Sequence, residues 1–361
     1  MIVGLPVLAP ALRDAHDLSL LQIGVLLDSL WIGTLLTLLP WGVLADRVGE
    51  RFVLASGLIA CAVALVAAGH AERFEPLILL VGLAGAAGAS VNAASGRAVM
   101  QWFPADERGF ALGVRQTAIP IGGLISALVL PALSVRGSFV FLAGLCVAGA
   151  IFGAAVIREH EGAAKDDVLE PRGLGATLRD RRLWLLCGAS SFYLVAQLAI
   201  TGFLVLFLHD ERGLSDAAAA GVLAGVQVVA AGMRIGGGRW SDRVGSRVRP
   251  LRLVGVASSV TLAVAAAVLS APLTVLVPAF VLAGGLAMAW NGLSFTAAAE
   301  IAGSGRSGAA LGMQQSALAA AGAIVPPAFA AVVAASSWRL GFALAALCPL
   351  AGVQLLRPLR S

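Results

Sequence analysis

Arg115 sits inside an otherwise apolar stretch, GFALGVRQTAIPIGG, and is followed at once by Gln116 and Thr117. A guanidinium there is a permanently charged, forked donor suited to a carboxylate or another small oxyanion. Asp28 is the carboxylate placed deepest in an apolar run, where it can take up and release a proton. Tyr193, Gln197 and Thr201 stand four apart and would share one face of a helix. With Asn92, Gln227, Asn291, Gln314 and Gln315 they can line a polar cavity. The same groups can instead tie helices together, at about 0.6 kcal/mol for each bond. Trp31 and Trp290 can pack or line. Neither a metal site nor a histidine relay is indicated. His16, His70, His160 and His209 fall at loops, and Cys61, Cys146, Cys187 and Cys348 lie singly in apolar runs, as small core residues.

The elements that must position these groups follow from composition. The chain is 59% hydrophobic and 12% charged, with mean hydropathy +0.92, and that charge is about half of what a soluble domain carries. At roughly 20 apolar residues per crossing, twelve segments read as helices: 1–12, 20–45, 52–69, 76–101, 109–133, 138–157, 183–208, 217–241, 251–270, 273–299, 308–333 and 338–356. Continuous runs such as LILLVGLAGAAGASVNAA lack the alternation of a membrane barrel, so the expected fold class is an all-α polytopic membrane protein.

The basic pI near 9.7 does not indicate nucleic acid, because the arginines cluster between apolar runs, where they set orientation. If the turns GVLADRVGER and GRWSDRVGSR and the polar stretch 158–182 are cytosolic, most arginines fall on that side. Only Arg13, Arg73, Arg136, Arg212 and Arg339 fall on the other. The C-terminus is then cytosolic too, and Arg97 and Arg234 lie close enough to that side for their stems to snorkel to the interface.

The chain repeats itself. Gly42, Asp46, Arg47, Val48, Gly49 and Arg51 recur as Gly238, Asp242, Arg243, Val244, Gly245 and Arg247, an offset of 196 residues. LSLLQIG at Leu18 corresponds to LSDAAAAG at Leu214, and GFALGVRQTA at Gly109 to GAALGMQQSA at Gly308. The order is the same in both copies, which indicates two parallel six-helix units: 1–157 and 183–361, joined by a linker over 158–182. Ser19 with Gln22 has the spacing of a capping box at the start of the second segment. By the same offset, the first helix should begin about a dozen residues before Met1, so it is expected to be truncated. Its twelve apolar residues span about 18 Å, against a roughly 30 Å hydrocarbon core.

With twelve segments, a six-plus-six repeat and the loop signature G-x-L-A-D-R-x-G-x-R at Gly42 to Arg51, the chain resembles the major facilitator superfamily throughout. Glu50 departs from that pattern, and the second copy has Trp240–Ser241 in place of Leu–Ala. The resemblance implies a secondary transporter in which two bundles alternate access to a central site. It also implies that the repeated turns, Gly42, Asp46, Arg47, Gly49, Arg51 and Gly238, Asp242, Arg243, Gly245, Arg247, latch the halves reversibly on the cytosolic face. Within each turn, Asp46 or Asp242 can accept from a helix N-terminus.

Proton-coupled drug exporters of the superfamily carry a central Arg in helix four and G-P-x-x-G-G in helix five. Here helix four lacks that Arg and helix five reads Ala118-Ile-Pro-Ile-Gly-Gly. Both departures weaken an exporter assignment, whereas WFPADERG before helix five, with Arg115 following, resembles branches that carry small organic or inorganic anions. The resemblance implies such a solute, with Arg115 and Gln116 at its site and Asp28 for proton coupling; a drug or metabolite exporter is the alternative. A membrane-embedded enzyme would need paired carboxylates, and Asp166–Asp167 in the linker is a poor candidate. The remaining expectations are a monomer in the cell membrane, with a small-molecule solute, a coupling proton and the lipid bilayer as partners. No cofactor or nucleic acid is expected.

Overall fold

The computed structural model describes residues 2–102, 107–156, 171–303 and 306–359; at Asp46, Arg47, 93–102, Arg108, Gly109, Gly113 and 171–174 only the backbone is described. In chain order the helices are α1 (Gly4–Val7), α2 (Ala9–His16), α3 (Leu20–Val48), α4 (Glu50–Ala68), α5 (Phe74–Trp102), α6 (Arg108–Gln116), α7 (Ala118–Val129) and α8 (Val135–Val156). They continue as α9 (Pro171–Arg179), α10 (Arg181–Asp210), α11 (Asp216–Val244), α12 (Val248–Ala267), α13 (Leu273–Ala287), α14 (Trp290–Ala302), α15 (Ser307–Ala335) and α16 (Trp338–Leu355). No strand occurs among the described residues, as expected where lipid offers the backbone no hydrogen bonds.

Eleven stretches among the described residues are long and apolar enough to cross a bilayer. Two of them, Phe110–Ala132 and Leu273–Ala302, contain a break, one between α6 and α7 and one between α13 and α14. The first apolar segment folds as α1 and α2, buried against α7 and α10.

Local signals place the helix ends. Ser19 and Gln22 form the expected reciprocal cap: Gln22 N–H donates to Ser19 Oγ (3.2 Å) and Ser19 N–H to Gln22 Oε1 (2.8 Å). Ser215, Ser337 and Asp180 cap α11, α16 and α10 one way only, each accepting a backbone N–H from the first turn. The repeated turn carries glycine at both positions with left-handed φ, Gly49 at 92° and Gly245 at 64°.

Helices of the first half pack as α3 on α5, and α4 on α5 and α8; those of the second half pack as α10 and α12 on α16, and α11 and α12 on α13. Between the halves runs a long seam. On one side α3 lies along α15, and on the other α6 and α7 lie along α11, with α6 also touching α14. Small residues let the seam close. A Cβ on Gly322 would sit 2.3 Å from the Trp31 ring, and one on Gly24 would sit 2.9 Å from the Ala330 Cβ. Inside the first half, the Cys61 and Cys146 thiols approach to 3.8 Å, a proximity that sequence spacing does not reveal.

Candidate functional site at the seam between the halves

The break between α6 and α7, at Thr117, lies three residues before Pro120. Pro120 has no N–H, so the carbonyl four residues earlier, Gln116 C=O, has no helical donor. Arg234 of α11 supplies one across the seam through Nη1. Its Nη2 donates to Asn291 Oδ1, and its Nε to the Met288 carbonyl at 2.8 Å. Met288 follows the last residue of α13, where carbonyls lack partners in their own helix. One guanidinium thus satisfies two carbonyls orphaned at helix breaks, one in each half.

Arg234 is 1% exposed. This corrects the snorkelling expectation: α6 and α14 cover its side of α11, so its stem has no route to an interface. Among the described residues no carboxylate forms an ion pair with it, and its partners are two carbonyls and one amide oxygen. A buried cation without an anion is costly in hydrocarbon surroundings.

Other predicted residues gather along the same seam. Arg115, half-buried, adjoins the Gln116 carbonyl that Arg234 holds. The Gln116 side chain is itself buried. Gln227, two turns before Arg234 on α11, is 1% exposed; it presses on Gly123 of α7, and its amide has no hydrogen-bond partner. Gln197 is buried with its Oε1 unpartnered, and Thr201 donates to the Gln197 carbonyl at 2.9 Å. Thr201 also lines a cavity of about 20 Å³ with Trp31, Leu27 and Pro326, room for about one water. Asp28 is buried, with Oδ1 unpartnered. It lies four residues past Gly24 and three before Trp31, so it shares the α3 face that meets α15.

Two predicted lining residues point elsewhere. The Tyr193 ring packs against Gly255 and Gly352 inside the second half, and its hydroxyl donates to the Leu251 carbonyl at 3.2 Å. Gln314 is fully buried and donates through Nε2 to Ser190 Oγ (3.1 Å) and Ser294 Oγ. Both join helices within one half rather than meeting Arg234. Gln315 and Asn92 are half-buried. Trp290 packs on Tyr193, centroids 6.1 Å apart.

At the face of the repeated turns, Asp242 does what its position suggested. Its Oδ2 accepts from Phe110 N–H in the first turn of α6, at 3.1 Å, while Oδ1 pairs with Arg247. Arg247 in turn reaches Glu300 Oε1 at 2.9 Å, and the Arg239 guanidinium lies 4.5 Å from the Phe110 ring centroid. Gly238 is buried, Arg243 and Arg51 are exposed, and nothing crowds Gly42. The side chains of Asp46, Arg47 and Arg97 lie outside the described residues, as does Asp166–Asp167. At the opposite face Arg13 of α2 pairs with Asp210 of α10. The seam is therefore bridged at both ends and in the middle.

Residues 2–326 match the family described as Major Facilitator Superfamily. The chain belongs to that superfamily. Among its relatives is an uncharacterized MFS-type transporter of Mycobacterium tuberculosis, 36% identical over 98% of this chain and 80% of that one. The "Probable nitrate/nitrite antiporter" of Thermus thermophilus is 30% identical over 68% of this chain and 57% of its own length. A multidrug resistance protein of Proteus mirabilis is 28% identical over 57% of this chain and 53% of that one. The crystal structure of the human organic anion transporter MFSD10 superposes with a TM-score of 0.74, at 17% identity, over 92% of this chain and 83% of that one; that likeness shows the fold. This superfamily member is a multi-pass membrane transporter, not an enzyme.

Proposed function

We propose that this transporter carries a small anion, held at the seam by Arg234 with Arg115, Gln116, Asn291 and the unpartnered amide of Gln227. The observation that carries the reading is a guanidinium buried between the halves whose partners among the described residues are all neutral. A bound oxyanion would supply the missing charge, and its contacts to both halves would tie site occupancy to their relative position. The halves are 1–157 and 183–361, rocking about this centre with the turns of Asp46 and Asp242 as the reversible latch. Asp28, on the α3–α15 part of the seam, is the group for proton coupling. The chain works as a monomer in the cell membrane, with the 158–182 linker and the C-terminus in the cytosol.

Export of drug-like solutes is the second reading, favoured by the multidrug resistance protein among the relatives. Thermal unfolding of the purified full chain with nitrate, acetate and benzoate tests the first, since a ligand of the folded state stabilises by mass action. At least one anion should raise the midpoint in the parent, and none should do so in Arg234→Gln. Equal shifts in both proteins would refute the anion site.

A further inference from the structure

At the face opposite the repeated turns, a cavity of about 560 Å³ opens between α2, α10, α15 and the start of α16. Its volume falls in the range of small-molecule sites. Three of the five arginines assigned to that side converge on it: Arg13, Arg212 and Arg339. Arg212 donates to the Leu269 (3.1 Å) and Ala271 (2.7 Å) carbonyls, and Arg339 to Ser270 Oγ (2.8 Å). Neither has a carboxylate in ion-pair contact among the described residues. Of the three, Arg13 alone is in an ion pair among the described residues, with Asp210, which His209 also contacts. Glu211 is the remaining charge on the wall.

The floor differs from the rim. Phe207 and Trp338 line it, centroids 5.5 Å apart, and behind them lies Phe342, which contacts both Phe280 and Phe329. Phe329 meets Phe203 at 4.8 Å, so the aromatic layer continues along α10 and α15. A cationic rim over an aromatic floor matches a ligand with one carboxylate and a flat apolar body.

We propose that this cavity is a second, outer binding site for an aromatic monocarboxylate, whose carboxylate lies between Arg339 and Arg13 and displaces Asp210 from Arg13. Asp210 is then a built-in competitor for the ligand. Because Arg13 belongs to the first half and Asp210 to the second, occupancy removes the ion pair that joins them at this face. The site shares no residue with the centre at Arg234, so the two stand or fall separately.

The probe is 4-nitrobenzoate, whose ring quenches tryptophan, added to the purified full chain in nanodiscs; nitrobenzene reports partition without charge. Saturable quenching is expected with nitrobenzoate and not with nitrobenzene, and it should largely vanish in Trp338→Phe. Arg339→Gln should weaken binding about tenfold, whereas Asp210→Asn should tighten it several-fold by releasing Arg13. Arg234→Gln should leave it unchanged. Equal quenching by nitrobenzene, weaker binding in Asp210→Asn, or loss in Arg234→Gln with retention in Arg339→Gln would overturn the proposal. The last result would move the anion to the central site.

Discussion

The Arg234 guanidinium donates to the Gln116 carbonyl, the one that Pro120 leaves without a helical donor. The imino acid and the cation come from different halves of the chain, and each accounts for the other's position. Pro120→Ala should return an N–H to the Gln116 carbonyl and loosen its tie to Arg234. A double-mutant cycle of Pro120→Ala with Arg234→Gln, read by thermal unfolding, should give a coupling of about 0.5–3 kcal/mol. Additive effects would mean that the two do not share the carbonyl.

The Asp242 cap on α6 predicts a graded response. Asp242→Asn keeps an acceptor for Phe110 N–H but loses the ion pair with Arg247, and Asp242→Ala loses both. Hydrogen exchange of the peptide covering 107–116 should therefore accelerate markedly in the alanine variant and only slightly in the asparagine variant. Losing the cap should cost about 1 kcal/mol. Identical exchange in all three proteins would show that the contact does not hold the faces together.

Gln314 separates an interhelical tie from a ligand contact. Its two bonds to serines should be worth about 1 kcal/mol together. Gln314→Met should lower the unfolding midpoint modestly and leave anion-induced stabilisation intact. Loss of anion stabilisation with an unchanged midpoint would place Gln314 at the solute instead.

The seam along α3 and α15 is closed by Trp31 over Gly322. Gly322→Ala puts a methyl into that ring and should destabilise by about 1–3 kcal/mol, as overpacking does. Trp31→Ala should relieve the penalty in the double variant. Additive effects of the two changes would mean that the ring and Gly322 are not in contact.

Asp180 gives the acid-side prediction. The Arg182 guanidinium beside it holds its carboxyl below the usual carboxylate range, while it caps α10 by accepting from Arg182 N–H at 3.0 Å. A depressed folded-state value means the contribution is full above the unfolded value, roughly 3.9, and fades as pH falls through the folded one. Asp180→Ala should thus lower the midpoint at pH 7 and converge with the parent under stronger acid. A constant difference across that range would show that the charge is not involved.

Much of this molecule was legible from residue spacing. The apolar segments became helices because a bilayer allows the backbone little else. Ser19 with Gln22 marked the start of α3, and the repeated turn kept glycine wherever the chain needed positive φ. A sharper reading was available at Pro120, since a proline always frees the carbonyl four residues back; the sequence marks Gln116 as an acceptor without naming its donor. These are local properties, fixed by covalent geometry and a few neighbours along the chain.

Which polar group meets which was decided by packing between halves more than a hundred residues apart in sequence. Arg234, Tyr193 and Gln314 look alike in a one-dimensional reading, as polar side chains on apolar helices. The first crosses the seam, and the other two turn into their own half, because a side chain's surroundings depend on the rotation of its helix against neighbours. Arg13 and Asp210, or Phe207 and Trp338 on the floor of the outer cavity, carry no spacing signal at all. Sequence dictated that these helices form; close packing of one half on the other determined which charges they bring together.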